Sequence, residues 1–229
     1  MWRTLNTTIL LLSLLMFSAG AQATTIQDNY IGANDWGRGD VIGNVALFDI
    51  NRMEVDFTNN TLTVDIYSRY FDNLGAFDTR LGDLFISNNG YTPDTEAWEF
   101  ALVLGTGGTA SLYDTSSGTI VNAWVTNNLW VYRNGQEVQF NPGGSNALAP
   151  GSWSINYGTF PSDEDDYLRF IITYNDWGFT DAVGFHCAMT CGNDVIEGAA
   201  PVPEPATMLL LGTGLIGLAG LGRRKFKKK

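Results

Sequence analysis

Two stretches of the chain carry oxygen ligands at the same spacing. Asn34-Asp35-Trp36-Gly37-Arg38-Gly39-Asp40 and Asn175-Asp176-Trp177-Gly178-Phe179-Thr180-Asp181 share the pattern Asn-Asp-Trp-Gly-x-x-Asp, and each leads into a short apolar step. Carboxylates, an amide and backbone carbonyls wrapped around a glycine make up the hard-oxygen set that calcium prefers. Asp35, Asp40, Asp176 and Asp181 are therefore candidate Ca²⁺ ligands, and no other cofactor is indicated. Neither copy follows the EF-hand pattern. The simpler reading is local: Asn and Asp open Asx turns, glycine closes them, and tryptophan packs beneath.

Aromatic side chains are the second signal. Six tryptophans fall between residues 24 and 200, namely Trp36, Trp98, Trp124, Trp130, Trp153 and Trp177. Exposed aromatic faces flanked by Asp, Asn and Gln are how β domains stack sugar rings, although most tryptophans in such domains belong to the core. Trp98 and Trp130 lie in apolar runs and are expected inside. Trp36 and Trp177 lie in polar loops and are the candidate glycan-stacking rings.

Catalytic chemistry is poorly supplied. The single histidine, His186, sits between Phe185 and Cys187 in an expected strand and reads as structural. There is no Gly-x-Ser-x-Gly elbow, and one histidine cannot make a His-x-x-x-His metal site. A glycosidase needs only two carboxylates astride a bond, yet no pair stands out, so the expectation is a protein that is not an enzyme. Cys187 and Cys191 are a candidate disulfide for an oxidising compartment, provided the turn between them brings their Cβ atoms within reach. A loop this short would gain little from the bridge.

The elements that must position these residues are short β segments separated by Gly, Asn and Asp, with no helical periodicity before the tail. Met53, Val55 and Phe57 alternate with acidic residues, Asn59-Asn60 turns the chain, and Leu62, Val64 and Ile66 alternate again, which predicts a hairpin with one buried face. Residues 97–104 are almost wholly apolar and predict a strand covered on both sides. Asn134-Gly135 predicts a tight turn joining 129–133 to 137–140. Further strands are expected at 153–157 and, as the last long one, at 167–174, with Gly184-Phe185-His186 beyond. About ten strands at this spacing predict an all-β fold, a single β-sandwich of jelly-roll type spanning residues 24–200. Gly198-Ala199-Ala200-Pro201 is the expected tether behind it. The run from Leu168 to Glu197 loosely resembles the closing strands of carbohydrate-binding jelly rolls, which would imply a polysaccharide partner.

The tail has its own logic. Val202-Pro203-Glu204-Pro205 leads into an uncharged run, 206–221, and then into Arg223, Arg224, Lys225 and three further lysines up to residue 229. Proline suits the first turn of a helix because the N–H it lacks would be unpaired there anyway. Sixteen apolar residues make a helix of about 24 Å, short of the roughly 30 Å hydrocarbon core, so one transmembrane helix is expected with flanking cations snorkelling. The cationic end should stay cytoplasmic. Motif, apolar run and basic stop in this order resemble the PEP-CTERM sorting signal over residues 201–229. The resemblance implies recognition of Pro203, Glu204 and Pro205 by exosortase and delivery to the envelope or extracellular matrix.

At the other end, Arg3, the apolar run from Ile9 to Phe17, and the small residues Ala21 and Ala23 form a signal-peptide pattern, so residues 1–23 are an expected signal helix removed by signal peptidase. Between leader and tail there are six arginines, no lysine and 23 acidic residues, a formal charge of −17. Such a surface repels nucleic acid and anionic lipid. The expected protein is thus an exported, non-enzymatic cell-surface or matrix component, either a polysaccharide-binding module or a purely structural one. A secreted glycoside hydrolase is the remaining alternative.

Overall fold

The computed structural model describes residues 23–29, 41–58, 60–91, 97–123, 135–158, 166–179, 182–202 and 214. The strands in chain order are β1 (Thr24–Gln27), β2 (Ile50–Thr58), β3 (Thr61–Ser68), β4 (Leu84–Ser87), β5 (Phe100–Leu104), β6 (Thr109–Asp114), β7 (Thr119–Asn122), β8 (Glu137–Asn141), β9 (Ala149–Asn156), β10 (Tyr167–Thr173), β11 (Ala182–Ala188) and β12 (Val195–Pro201). One helical turn, α1 (Val45–Phe48), precedes β2, and the Asn44 side chain accepts from the Ala46 N–H at its start.

Ten strands form one sheet in the order β1-β2-β3-β10-β9-β6-β5-β4-β11-β12, and every pairing is antiparallel. The all-β class expected from the sequence is present. Hydrogen bonding does not divide it into the two layers of a sandwich, because the sheet curls until β12 lies beside β1. The expected hairpin is there, with Met53 opposite Ile66, Val55 opposite Val64 and Phe57 opposite Leu62, and with φ of 62° at Asn60 in its turn. Met53, Val55, Leu62 and Val64 are buried in the enclosed core with Phe170, Phe185 and Leu102.

Residues 97–104 are apolar except for Glu99, and β5 within them is covered on both sides. Phe100 and Leu102 join the enclosed core, while Ala101 belongs to an outer cluster with Phe85, Trp98 and Phe140. The outer cover is a two-stranded ribbon of β7 and β8. β8 pairs with β7, setting Phe140 opposite Ile120, and both rest on the outer cluster. Gly135 has φ of 93°, as a turn there requires, while Asn134 and 129–133 lie outside the described residues.

Two further expectations change. The strand at 167–173 is not the last long one, since β11 and β12 follow it with seven residues each. The supposed tether Gly198–Pro201 is the end of β12, paired with β11 through Ala182 opposite Pro201, and Ala200 is fully buried. Small residues looked like a linker in sequence, but the edge of a closing sheet needs them.

The seam shows why. A Cβ built on Gly198 would lie 2.5 Å from Cγ2 of Ile26 on β1, so only glycine lets the two edges meet. Because directions alternate across ten antiparallel strands, β1 begins and β12 ends at the same end of the molecule. That seam end also carries the β2–β3 turn and the β10–β11 connection; α1, the connection at residues 69–83 and the Thr106–Gly108 turn lie at the far end. We expect Gly198→Ala to destabilise the domain by about 1–3 kcal/mol through overpacking of the seam. Ile26→Ala in the same background should recover part of that loss in urea denaturation.

Candidate functional site

The acidic, lysine-free composition has a local counterpart in how arginine is used. Arg169 on β10 grips Asp65 on β3 with Nε and Nη2, at 2.7 and 2.6 Å, directly across the strand pair. Its guanidinium also lies 5.0 Å from the Tyr167 ring. Arg52 pairs with Glu54 at 2.9 Å and lies 3.6 Å from the Tyr67 ring centre. Arg169–Asp65 and Arg52–Tyr67 cross between strands, the other two contacts run along one strand, and all use planar partners that suit arginine better than lysine. Asp65 also lies directly opposite Glu54 across β2–β3, a like-charge pairing that the Arg169 fork offsets.

The predicted site residues separate. Trp177 is 8% exposed: it stacks on Phe179 with centroids 4.8 Å apart and meets Phe100 and Tyr174 edge-on. Its ring plugs the seam end of the core, which removes it from the glycan-stacking role; Trp36 lies outside the described residues. A polar loop on a barrel end can fold its one large ring inward, and sequence polarity alone does not register that. Asp176 is exposed, and the Asn175 side-chain oxygen accepts from Asn60 Nδ2 at 2.9 Å, tying this loop to the β2–β3 turn. Asp35, Asp40 and Asp181 lie outside the described residues. Among the described residues no three His, Cys, Asp or Glu side chains are grouped to hold a metal ion.

Cys187 and Cys191 are free and buried, so the candidate disulfide is not formed here. Cys187 points into the core from β11, and the Cys191 thiol donates to Asn193 Oδ1 at 3.0 Å in the following turn. Burial pushes both thiols up to about 12, which leaves them protonated and unreactive.

His186 is structural, as expected. It is completely buried, with Nδ1 2.6 Å from Glu197 Oε1 and Nε2 2.6 Å from the Glu137 carbonyl oxygen. A carbonyl only accepts, so Nε2 carries a proton. Desolvation alone would lower the histidine pKa, but the hydrogen bond and charge of Glu197 outweigh it and the pKa is raised. The contact joins β11 and β12 to the start of β8.

Asp83 is a second joint of the same ribbon, marked by no motif in the chain. Just before β4, its Oδ1 accepts from the Leu104 N–H at 2.9 Å and its Oδ2 from the Phe140 N–H at 2.8 Å, while its own N–H donates to Val138 O. One carboxylate thus bridges β5 and β8. Burial raises its pKa to about 6 despite those two donors. Beside it, Val121, Gln139, Asn141, Pro142 and Val103 line a groove of about 340 Å³. The most exposed aromatic rings among the described residues, Phe77 at 55% and Tyr157 at 61%, project at the far end. Phe77 has φ of 56°, a left-handed conformation that is costly for an aromatic residue.

Ala23, an expected cleavage residue, is exposed directly before β1, and Val202 is half-buried directly after β12. Ala21, Pro203, Glu204, Pro205, Arg223, Arg224 and Lys225 lie outside the described residues, as does the 206–221 run apart from Gly214. Among the described residues no helix is long and apolar enough to cross a membrane. The chain carries a PEP-CTERM protein-sorting motif, matched over residues 201–225. That motif implies an exported, cell-envelope-associated protein sorted by exosortase, its processing partner. No curated protein and no solved structure matches the chain.

Folding raises the pKa of both Asp83 and His186, so each contributes stability that is complete below its unfolded value and lost as pH rises through its folded value. For Asp83 the loss spans the interval from ordinary carboxylate titration to about 6. Asp83→Asn should flatten the fall in stability over that interval, removing about 2–3 kcal/mol of pH dependence, as read from urea midpoints at a series of pH values.

Proposed function

We propose that this is a non-catalytic surface or extracellular-matrix protein whose barrel-like domain binds polysaccharide outside the inner membrane. The observation that carries the reading is positional: the sorting motif begins at Pro201, the residue that ends the last strand. The described strands therefore lie ahead of the motif as its cargo. Binding is supported by the exposed rings of Phe77 and Tyr157, which offer apolar faces to sugar rings, and by the groove with its Gln139 and Asn141 amides. A charge of −17 between leader and tail suits neutral or cationic polymers.

The non-catalytic reading is supported by the engagement of the obvious acid–base groups. His186 is sealed inside, and both Asp83 oxygens accept backbone hydrogen bonds. One observation favours a purely structural matrix component instead. Trp177, the one candidate stacking tryptophan among the described residues, is taken into the core.

Two experiments test the proposal. Replacing Pro203, Glu204 and Pro205 by alanine should leave the protein unprocessed in the membrane fraction of its own cells; normal surface delivery of that variant would refute sorting through this motif. A glycan array with the purified protein should show saturable binding that falls at least about tenfold, or roughly 1.4 kcal/mol, in Phe77→Ala or Tyr157→Ala. Absence of binding to any glycan favours the structural component.

A further inference from the structure

Both targeting segments join the domain at one place. β1 starts at Thr24, immediately after the expected leader, and β12 ends at Pro201, where the sorting motif begins. Ten alternating strands put these two residues at the same end, and the contact of Ile26 with Gly198 sets the edges side by side. Only residues 202–205 separate β12 from the apolar run. Even fully extended, four residues span no more than about 14 Å.

The strands are longer than that tether. Seven residues of β12 at about 3.3 Å each extend roughly 23 Å from the seam end towards the far end. The far end therefore cannot be swung round to the lipid surface while the tail is inserted. We propose that the seam end of the barrel is a membrane-facing surface, held against lipid headgroups by the short tether, and that the far end points away from the cell. This rests on the reading of residues 206–221 as membrane-inserted.

The chemistry of the seam end fits such a neighbour. Asn60 and Asn175 pair their amides there, Asn88 donates to the Trp177 carbonyl oxygen beneath them, and Asn89 donates to Glu99, whose carboxylate lies with that of exposed Asp176 at this end, a mix of amides and carboxylates that suits zwitterionic headgroups. Trp177, Phe179 and Tyr174 close the core behind this layer and, among the described residues, turn their rings inward instead of toward lipid. The surface hydrogen-bonds headgroups without inserting. It also places Phe77 and Tyr157 on the outward side.

The test uses the full chain in vesicles of phosphatidylcholine containing a headgroup-labelled quencher lipid. Single fluorophores are attached through Asp176→Cys at the seam end or Thr106→Cys at the far end, both exposed positions. The native thiols, buried and with pKa values of about 12, do not compete for the label. The expected result is strong quenching at 176 and little at 106, and loss of that difference when a long Gly-Ser linker is inserted after Val202. Equal quenching, or stronger quenching at 106, in chains that float with the vesicles overturns the orientation alone. Failure to float with the vesicles overturns the inserted-tail reading and the orientation with it.

Discussion

An even number of antiparallel strands brought round into a nearly closed sheet must return its last strand beside its first. That constraint governs this molecule. It brings Ile26 and Gly198 into contact, demands a residue without a side chain at the meeting point, and turns an alanine- and glycine-rich segment into a buried strand edge. Unpaired sheet edges invite association with other chains. Laying β12 against β1 protects both without a covering helix.

The enclosed core leaves the outer face of β4, β5 and β6 to be dealt with separately, and the β7–β8 ribbon covers it. The ribbon's apolar contribution is modest, chiefly Phe140 and Ile120 over Phe85 and Trp98. Its position is fixed by polar joints: the Asp83 carboxylate receives backbone N–H groups from β5 and β8, and His186 bridges Glu197 and the β8 carbonyl of Glu137. Buried polar groups cost free energy unless paired, so such joints specify one arrangement. The pairing is not complete, since Glu197 Oε2 and Trp98 Nε1 are buried without hydrogen-bond partners among the described residues. The raised pKa values of Asp83 and His186 both lie at these joints, which ties the attachment of the ribbon to pH.

Much of the local structure was legible in the chain. The alternation from Met53 to Ile66 has the period of a half-buried hairpin, and the unbroken apolar run ending at Leu104 signals two covered faces. Pairings between distant segments were not legible. β8 pairs with β7 across the intervening residues 123–136, and Phe140 and Ile120 gain an apolar surface to cover, which no local pattern announces. Trp177 looked exposed among Asn, Asp and Gly, and the core at the end of the barrel took it in.

The sequence by itself determined the address and the class. A proline-flanked glutamate, an apolar run and a cationic stop are contiguous features whose chemistry is read by a membrane and its enzymes without any fold, and the two-residue period of the strands is equally local. Tertiary structure alone decided that the strands form one curling sheet, that Asp83 and His186 are joints, and that both ends of the domain meet at a single seam. Those outcomes depend on contacts between separate segments, from Asp83 with Phe140 to Ile26 with Gly198, whose residues carry no mark of the partner they will meet.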